Sequence, residues 1–313
     1  MSAPSGIKVQ YELRPHKQVE RRMLIDAFHL LSAAGFPIKR YQYTGFGSWY
    51  FVDFILFHKL LGIEKMLSIE HAPAFKRRVE FNKPFENVGI FIGEASEVIP
   101  TLSASDRHIL WLDYDGVIDG EKIADVRSAG SVLSPGSILL LTVDNQPPGP
   151  PDGDPESWKS YFLEEAAGFL PANPSVKYFV ESNLTKVNSG ILWRAIMSGV
   201  GPRSGVEFTP LFNFLYADGH QMVSMGGMVT TKHEQELIKK SSLPAQTYFR
   251  DSFDADPYQI KVPNLTRRER LHLDSAMPCS PGWTPAEFEL TSEEVAAYNE
   301  IYRFFPAYAE LLL

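Results

Sequence analysis

Gly45 and Gly47 stand in Thr44-Gly-Phe-Gly-Ser48, between a strand-like run and an apolar helix pattern. A glycine turn joining a strand to a helix lets backbone N–H groups approach a nucleotide. Two carboxylates follow at corresponding places. Glu70 closes Met66-Leu-Ser-Ile-Glu70, and Glu94 closes Val88-Gly-Ile-Phe-Ile-Gly-Glu94. A ribose diol offers two donors, and one carboxylate can accept both. Three polar features at successive strand ends describe a nucleoside-binding rim. Further along, Asp113 and Asp115 end Leu110-Trp-Leu-Asp-Tyr-Asp-Gly116, and Thr142-Val-Asp-Asn145 ends the next apolar run.

These residues need a frame that brings strand ends to one edge. An amphipathic helix is expected over 17–34, where Val19, Met23, Ala27, Leu30 and Leu31 recur at helical spacing and Gly35 with Pro37 stops the pattern. Strands are expected at 41–45, 65–70, 88–92, 108–113 and 137–143, with helices at 50–61, 75–81, 96–102 and 121–133. Short apolar runs alternating with helices predict a parallel sheet covered on both faces. The tract 144–155 is rich in Pro, Gly and Asp and reads as a loop, followed by a helix over 158–169. Runs at 212–216 and 221–229, joined by Ala217-Asp-Gly-His220, read as an antiparallel hairpin. From about Lys232 the chain is more charged, with helix starts at Asn264 or Thr266 and at Thr291-Ser-Glu-Glu294. The expected organisation is an N-terminal helical segment (1–37), an α/β domain (38–231) and a helical C-terminal appendage (232–313).

Over roughly 38–230 the chain resembles class I methyltransferases, whose Rossmann-like doubly wound sheet is mostly parallel and ends in an antiparallel hairpin. Tyr43-Thr-Gly-Phe-Gly-Ser48 falls at the family's first motif, Ser68-Ile-Glu-His71 at the second and Ile92-Gly-Glu-Ala-Ser96 at the third. The resemblance implies S-adenosylmethionine as cofactor, bound by Tyr43, Gly45, Gly47, Asp53, Glu70, His71, Glu94, Ala95 and Asp113. It implies that Glu70 takes the ribose, that Glu94 and Ala95 border the adenine, and that Asp113 or Asp115 steers or deprotonates the acceptor. Tyr43 stands where the family usually has an acid, and Trp49 where a third glycine is common; Asp53 is the substitute partner for the donor's amino group. Among O-methyltransferases of the catechol type a divalent cation is held after strands four and five. Asp113, Asp144 and Asn145 fall at those places, and hard oxygen ligands suit Mg²⁺. The chain is also reminiscent of bacterial O-methyltransferases without an assigned acceptor, some encoded near defence genes.

Other chemistries fall away on sequence. There is no P-loop and no Gly-x-Ser-x-Gly elbow, and Tyr50 breaks a dinucleotide fingerprint. Asn145-Gln-Pro-Pro-Gly149 differs from the Asn-Pro-Pro-aromatic motif of amino-methyltransferases by an added Gln and a missing aromatic. Cys279 is the sole cysteine among 313 residues, so an intrachain disulfide and a cysteine-based zinc site are excluded. No long apolar span and no leader pattern is legible, so a cytoplasmic protein is expected. Hydrophobic residues make up 44% of the chain, enough for a sizeable core. The net charge of −8 disfavours broad nucleic-acid contact. The basic runs Arg14–Arg22 and Lys76–Arg78 are expected to be solvated faces, with a nucleic-acid methyltransferase as the competing reading. A binding or scaffold subunit that has lost catalysis is another. The expected partner is a small or macromolecular methyl acceptor, with homo-oligomer or complex formation open.

Overall fold

The computed structural model describes residues 14–71, 73–149 and 153–306. The leader-free reading of Met1–Gly6, the middle of the proline loop and the last seven residues lie outside them. The described chain folds around one eight-stranded sheet of order β3-β2-β1-β4-β5-β7-β6-β8. Its strands are β1 (Gln42–Gly45), β2 (Lys65–Glu70), β3 (Val88–Ile92), β4 (His108–Asp113), β5 (Ile138–Asp144), β6 (Glu207–Asp218), β7 (His220–Thr230) and β8 (Tyr258–Gln259). The first five are parallel, and β7 runs antiparallel between β5 and β6. This is the expected Rossmann-like α/β fold with its C-terminal hairpin.

Strand side chains alternate between two cores, as a period of two requires. Ile109, Trp111, Ile138 and Leu140 face a core with α1 (Pro15–Ala33) and α2 (Val52–Leu61). Leu110, Leu112, Leu139 and Leu141 face the other, with α5 (Gly120–Val132) and α7 (Leu184–Val200). Between these lie α3 (Lys76–Asn82), α4 (Ala95–Val98) and α6 (Pro155–Ala166). Both faces of β4 and β5 are thus dry, which explains their almost unbroken apolar runs.

Three features exceed the sequence reading. First, α7 was not expected at all. Its apolar residues do recur at helical spacing, but Gly190 and Gly199 interrupt the pattern as breakers would. Gly199 serves packing: a Cβ on it would lie 2.1 Å from the Arg127 carbonyl of α5, and one on Gly130 of α5 would lie 2.8 Å from the Ile196 carbonyl. Second, the hairpin strands run 12 and 11 residues, longer than their apolar centres suggested. Third, the segment after α8 (Lys232–Lys240) adds β8 to the sheet edge, parallel to β6. It also lays Tyr248, Tyr258 and Ile260 into the α1 core, before α9 (Arg267–Ala276) and α10 (Ser292–Ile301) complete the chain. A Tyr248 hydroxyl bond to Asp26 Oδ2 of α1 (2.7 Å) ties this segment to the first helix.

Because α5 and α7 meet through bare backbone, Gly199→Ala is expected to destabilise by about 1–3 kcal/mol through overpacking. Thermal unfolding should show the midpoint falling by several degrees. An unchanged midpoint would mean that the two helices are not so closely seated.

Candidate active site

The strand order reverses between β1 and β4, and ligands of open α/β sheets bind outside the carboxyl ends at such a point. A cavity of about 520 Å³ lies there. Gly47, Asp53, Glu70, His71, Glu94, Ala95, Asp113 and Asp115 all line it, as do Phe46, Ser48, Tyr114, Lys122 and Arg21. Eight of the expected site residues are therefore brought together.

Glu70 is positioned most firmly. Its Oε1 accepts from Gly47 N (3.1 Å) and from Ser68 Oγ (2.6 Å). Ser68 Oγ in turn accepts from Gly47 N at 2.9 Å. A side chain at Gly47 would have no room, since its Cβ would fall 2.5 Å from Ser68 Oγ and 2.6 Å from the Phe51 ring. The glycine turn is thus pinned to the end of β2. Burial pushes the Glu70 carboxyl up to about 7, even though the Ser68 hydroxyl and the Gly47 and Ser48 backbone N–H groups pull the other way. Glu94 ends the β3 rim, caps α4 in a capping box with Glu97, and pairs with His71 from the β2 rim. Tyr114 forms a wall, with its ring 5.3 Å from Phe46 and its hydroxyl donating to Asp125 Oδ2 (2.7 Å).

Beneath the rim lies a buried ion network that the sequence reading did not find. Lys17 Nζ of α1 sits 2.7 Å from Asp113 Oδ1 and 2.9 Å from Glu20 Oε2. It also donates to the Tyr216 hydroxyl (3.1 Å) and lies 4.5 Å from the Trp111 ring centroid. One turn later, Arg21 Nε pairs with Asp53 Oδ1. The run Arg14–Arg22, expected as a solvated face, therefore turns inward: Lys17 and Arg21 are each 2% exposed. Acidic partners supplied by β4 and α2 make that burial possible, and sequence spacing does not report them. A signal was present nonetheless, because Lys17, Glu20, Arg21 and Leu24 share one helix face with core residues.

Burial alone would raise the Asp113 carboxyl, but Lys17 beside it prevails and holds it below the ordinary carboxylate range. The same pairing holds Lys17 well above the usual amine value against its own desolvation. Glu20 goes the other way: burial raises it, and Lys17 offsets that only in part.

The remaining expected residues fall elsewhere. Tyr43 is buried in the core, its ring 4.7 Å from Phe54 and 4.8 Å from Phe57, and it does not line the cavity. Gly45 packs beneath it, since a Cβ there would lie 2.7 Å from the Tyr43 hydroxyl. The expected Mg²⁺ set does not form, and this corrects the reading of Asp113, Asp144 and Asn145. Asp113 is taken by the Lys17 ammonium. Asn145 is buried, donating to Gln221 and Thr185 and accepting from Asn188. Asp144 Oδ1 accepts from Gln146 N, closing a turn. Among the described residues no group of three or more His, Cys, Asp or Glu side chains is arranged to hold a metal.

A family model described as "Putative O-methyltransferase" matches residues 9–313. The chain belongs to that family. With its strand order it is a methyltransferase of the class I, Rossmann-like fold. Solved structures similar to it include Trm1 from Pyrococcus horikoshii with S-adenosyl-L-methionine (13% identity, TM-score 0.43, 71% of this chain and 58% of that one). Others are cofactor-bound Rv0187 from MTB (14%, 0.37, 66% and 80%) and the O-methyltransferase TomG from Streptomyces achromogenes with SAM (15%, 0.36, 66% and 79%). No curated protein matches the chain in sequence. Among the described residues, no helix is long and apolar enough to cross a membrane.

The methyl-donor fit can be judged on the cavity itself. A cavity of this size suits a nucleoside ligand. Glu70 would offer a diol acceptor, Glu94 and Ala95 would border the base, and Asp53 lines the same cavity from α2, the helix that follows the glycine turn. The donor set therefore fits S-adenosylmethionine, whereas it does not fit a bound cation.

Lys17→Met leaves Glu20, which is buried, and Asp113, which is half-buried, without their cation. The variant is expected to be destabilised by about 3–5 kcal/mol. The sign of its pH response follows from burial, which raises both carboxyls once Lys17 is gone. Denaturant unfolding should show the loss shrinking as pH is lowered from 8 to 5. A pH-independent loss would argue against the network.

Proposed function

We propose that this methyltransferase uses S-adenosylmethionine to methylate an oxygen of its acceptor. The observation that carries this reading is Glu70: a carboxylate at the end of β2, pinned to the glycine turn and lining the same nucleoside-sized cavity as Glu94. The family description supports oxygen as the accepting atom.

The donor supplies a sulfonium methyl, so transfer breaks S–CH3, forms O–CH3 and returns the electron pair to sulfur. Glu70 holds the ribose hydroxyls, Glu94 and Ala95 contact the adenine edge, and the Gly47 turn admits the nucleoside close to the backbone. Asp53 takes the ammonium of the donor's amino-acid tail. Asp113, kept ionised by Lys17, fixes the polarity of the reacting end. Asp115 is exposed at the cavity mouth and accepts the proton that the acceptor hydroxyl loses. Such general-base assistance contributes on the order of 10²–10⁴ in rate. The acceptor carries a hydroxyl and enters from the Asp115 side.

The raised Glu70 carboxyl yields a pH test. In the free protein it gains a proton as pH falls through about 7. Ribose hydroxyls donate to the ionised form and so favour it, which means that binding expels a proton. Affinity for S-adenosylhomocysteine should be flat above pH 8 and fall by up to about tenfold per unit below 7. Isothermal titration in buffers of different ionisation enthalpy reads both the affinity and the proton released. Glu70→Gln should remove the pH dependence, and Glu70→Ala should weaken binding by more than about tenfold. No binding of the wild type at any pH would overturn the reading.

A further inference from the structure

Among the described residues, eight carboxylates and two Lys or Arg side chains, Arg21 and Lys122, line the cavity. Lys122 is tied to Asp119, the N-cap of its own helix. An anion entering this cavity meets repulsion nearly everywhere, and Arg21 is the place where it meets attraction. Arg21 is buried, its Nε is engaged by Asp53, and its Nη1 has no hydrogen-bond partner. A guanidinium has five donors in a planar fork that matches a carboxylate, and a buried donor without a partner is destabilising. Asp53 beside it is the complementary anion. Together they present a positive and a negative group next to each other at the glycine-turn end of the cavity.

Resting on the donor reading above, we infer that Arg21 is the receptor for the carboxylate of the donor's amino-acid tail, with Asp53 taking the adjacent ammonium. An α-amino acid carries those two charges one carbon apart, and the Arg21–Asp53 pair is its mirror. The pair also accounts for Tyr43. Its ring packs between Phe54 and Phe57 and offers no acid to the cavity, so recognition of the tail passes to α1 and α2. The donor site is then closed by a residue of the N-terminal helix, outside the βα units that build the rest of the rim.

The test compares S-adenosylhomocysteine with its descarboxy analogue, S-adenosyl-3-thiopropylamine, which keeps the adenosine, the sulfur and the amine. The wild type should prefer the carboxylate ligand by roughly 10–100-fold, the range of a buried charge-assisted pair. Arg21→Met should reduce that preference to less than about threefold, and Arg21→Lys should retain part of it. Binding of 5′-methylthioadenosine, which has neither charge, should not change in either variant. If Arg21→Met is too unstable to measure, the Arg21→Met, Asp53→Asn double variant removes the orphaned anion, and the same ratio is read. Full preference retained without Arg21, or none in the wild type, overturns the assignment. Failure of all three ligands to bind the wild type overturns the donor reading itself.

Discussion

Two cations of one helix, buried against carboxylates of two other elements, are the constraint on which the site depends. Lys17 and Arg21 are four residues apart, so they share a face of α1 and meet Asp113 of β4 and Asp53 of α2 together. Taking an ion out of water costs several kcal/mol, and only a well-placed partner offsets it. Turning α1 by one residue would rotate both cations by about 100° and leave four charges unpaired. The pairs therefore specify the register of α1 more sharply than its apolar contacts do. Glu20 fits this balance. It stands beside Lys17 as a further carboxylate, and burial raises its carboxyl while Lys17 offsets that only in part.

The network divides the carboxylates at the rim into two kinds. Asp113 has a cation at 2.7 Å and stays ionised. Glu70 has only neutral donors, and burial brings it close to neutrality. Environment, not residue type, separates their roles, and this is how one fold can keep a fixed charge and a titrating acceptor within a single cavity. The arrangement also explains why the cation expected after β4 and β5 has no place: an ammonium already occupies the coordination side of Asp113, and Asn145 is spent holding the hairpin to α7.

The glycine turn shows a second economy. Gly47 is glycine because Ser68 and Phe51 fill the space of a side chain, and the contact this allows is the bond from its N–H to Glu70. The turn and Glu70 are thus one unit. Ser48 and Phe51 flank it with positive φ (56° and 48°), conformations that a β-carbon disfavours. Such strain is held in place by the packed rings of α2.

The sequence alone determined the parallel sheet, its hairpin and the rim residues from Gly47 to Asp115, because strand burial on two faces writes continuous apolar runs and strand ends carry the polar residues. Periodicity is a local property, and it was enough for these. It did not reveal α7, whose Gly199 serves close packing with α5, nor β8, which is two residues long and exists only by pairing with β6. It also misjudged Lys17 and Arg21, since a basic helix face reads as solvated until its acidic partners arrive from 32 and 96 residues away. Tertiary structure decided which charges meet, and so which carboxylates stay ionised, and that Asp113 faces an ammonium where a metal had been expected.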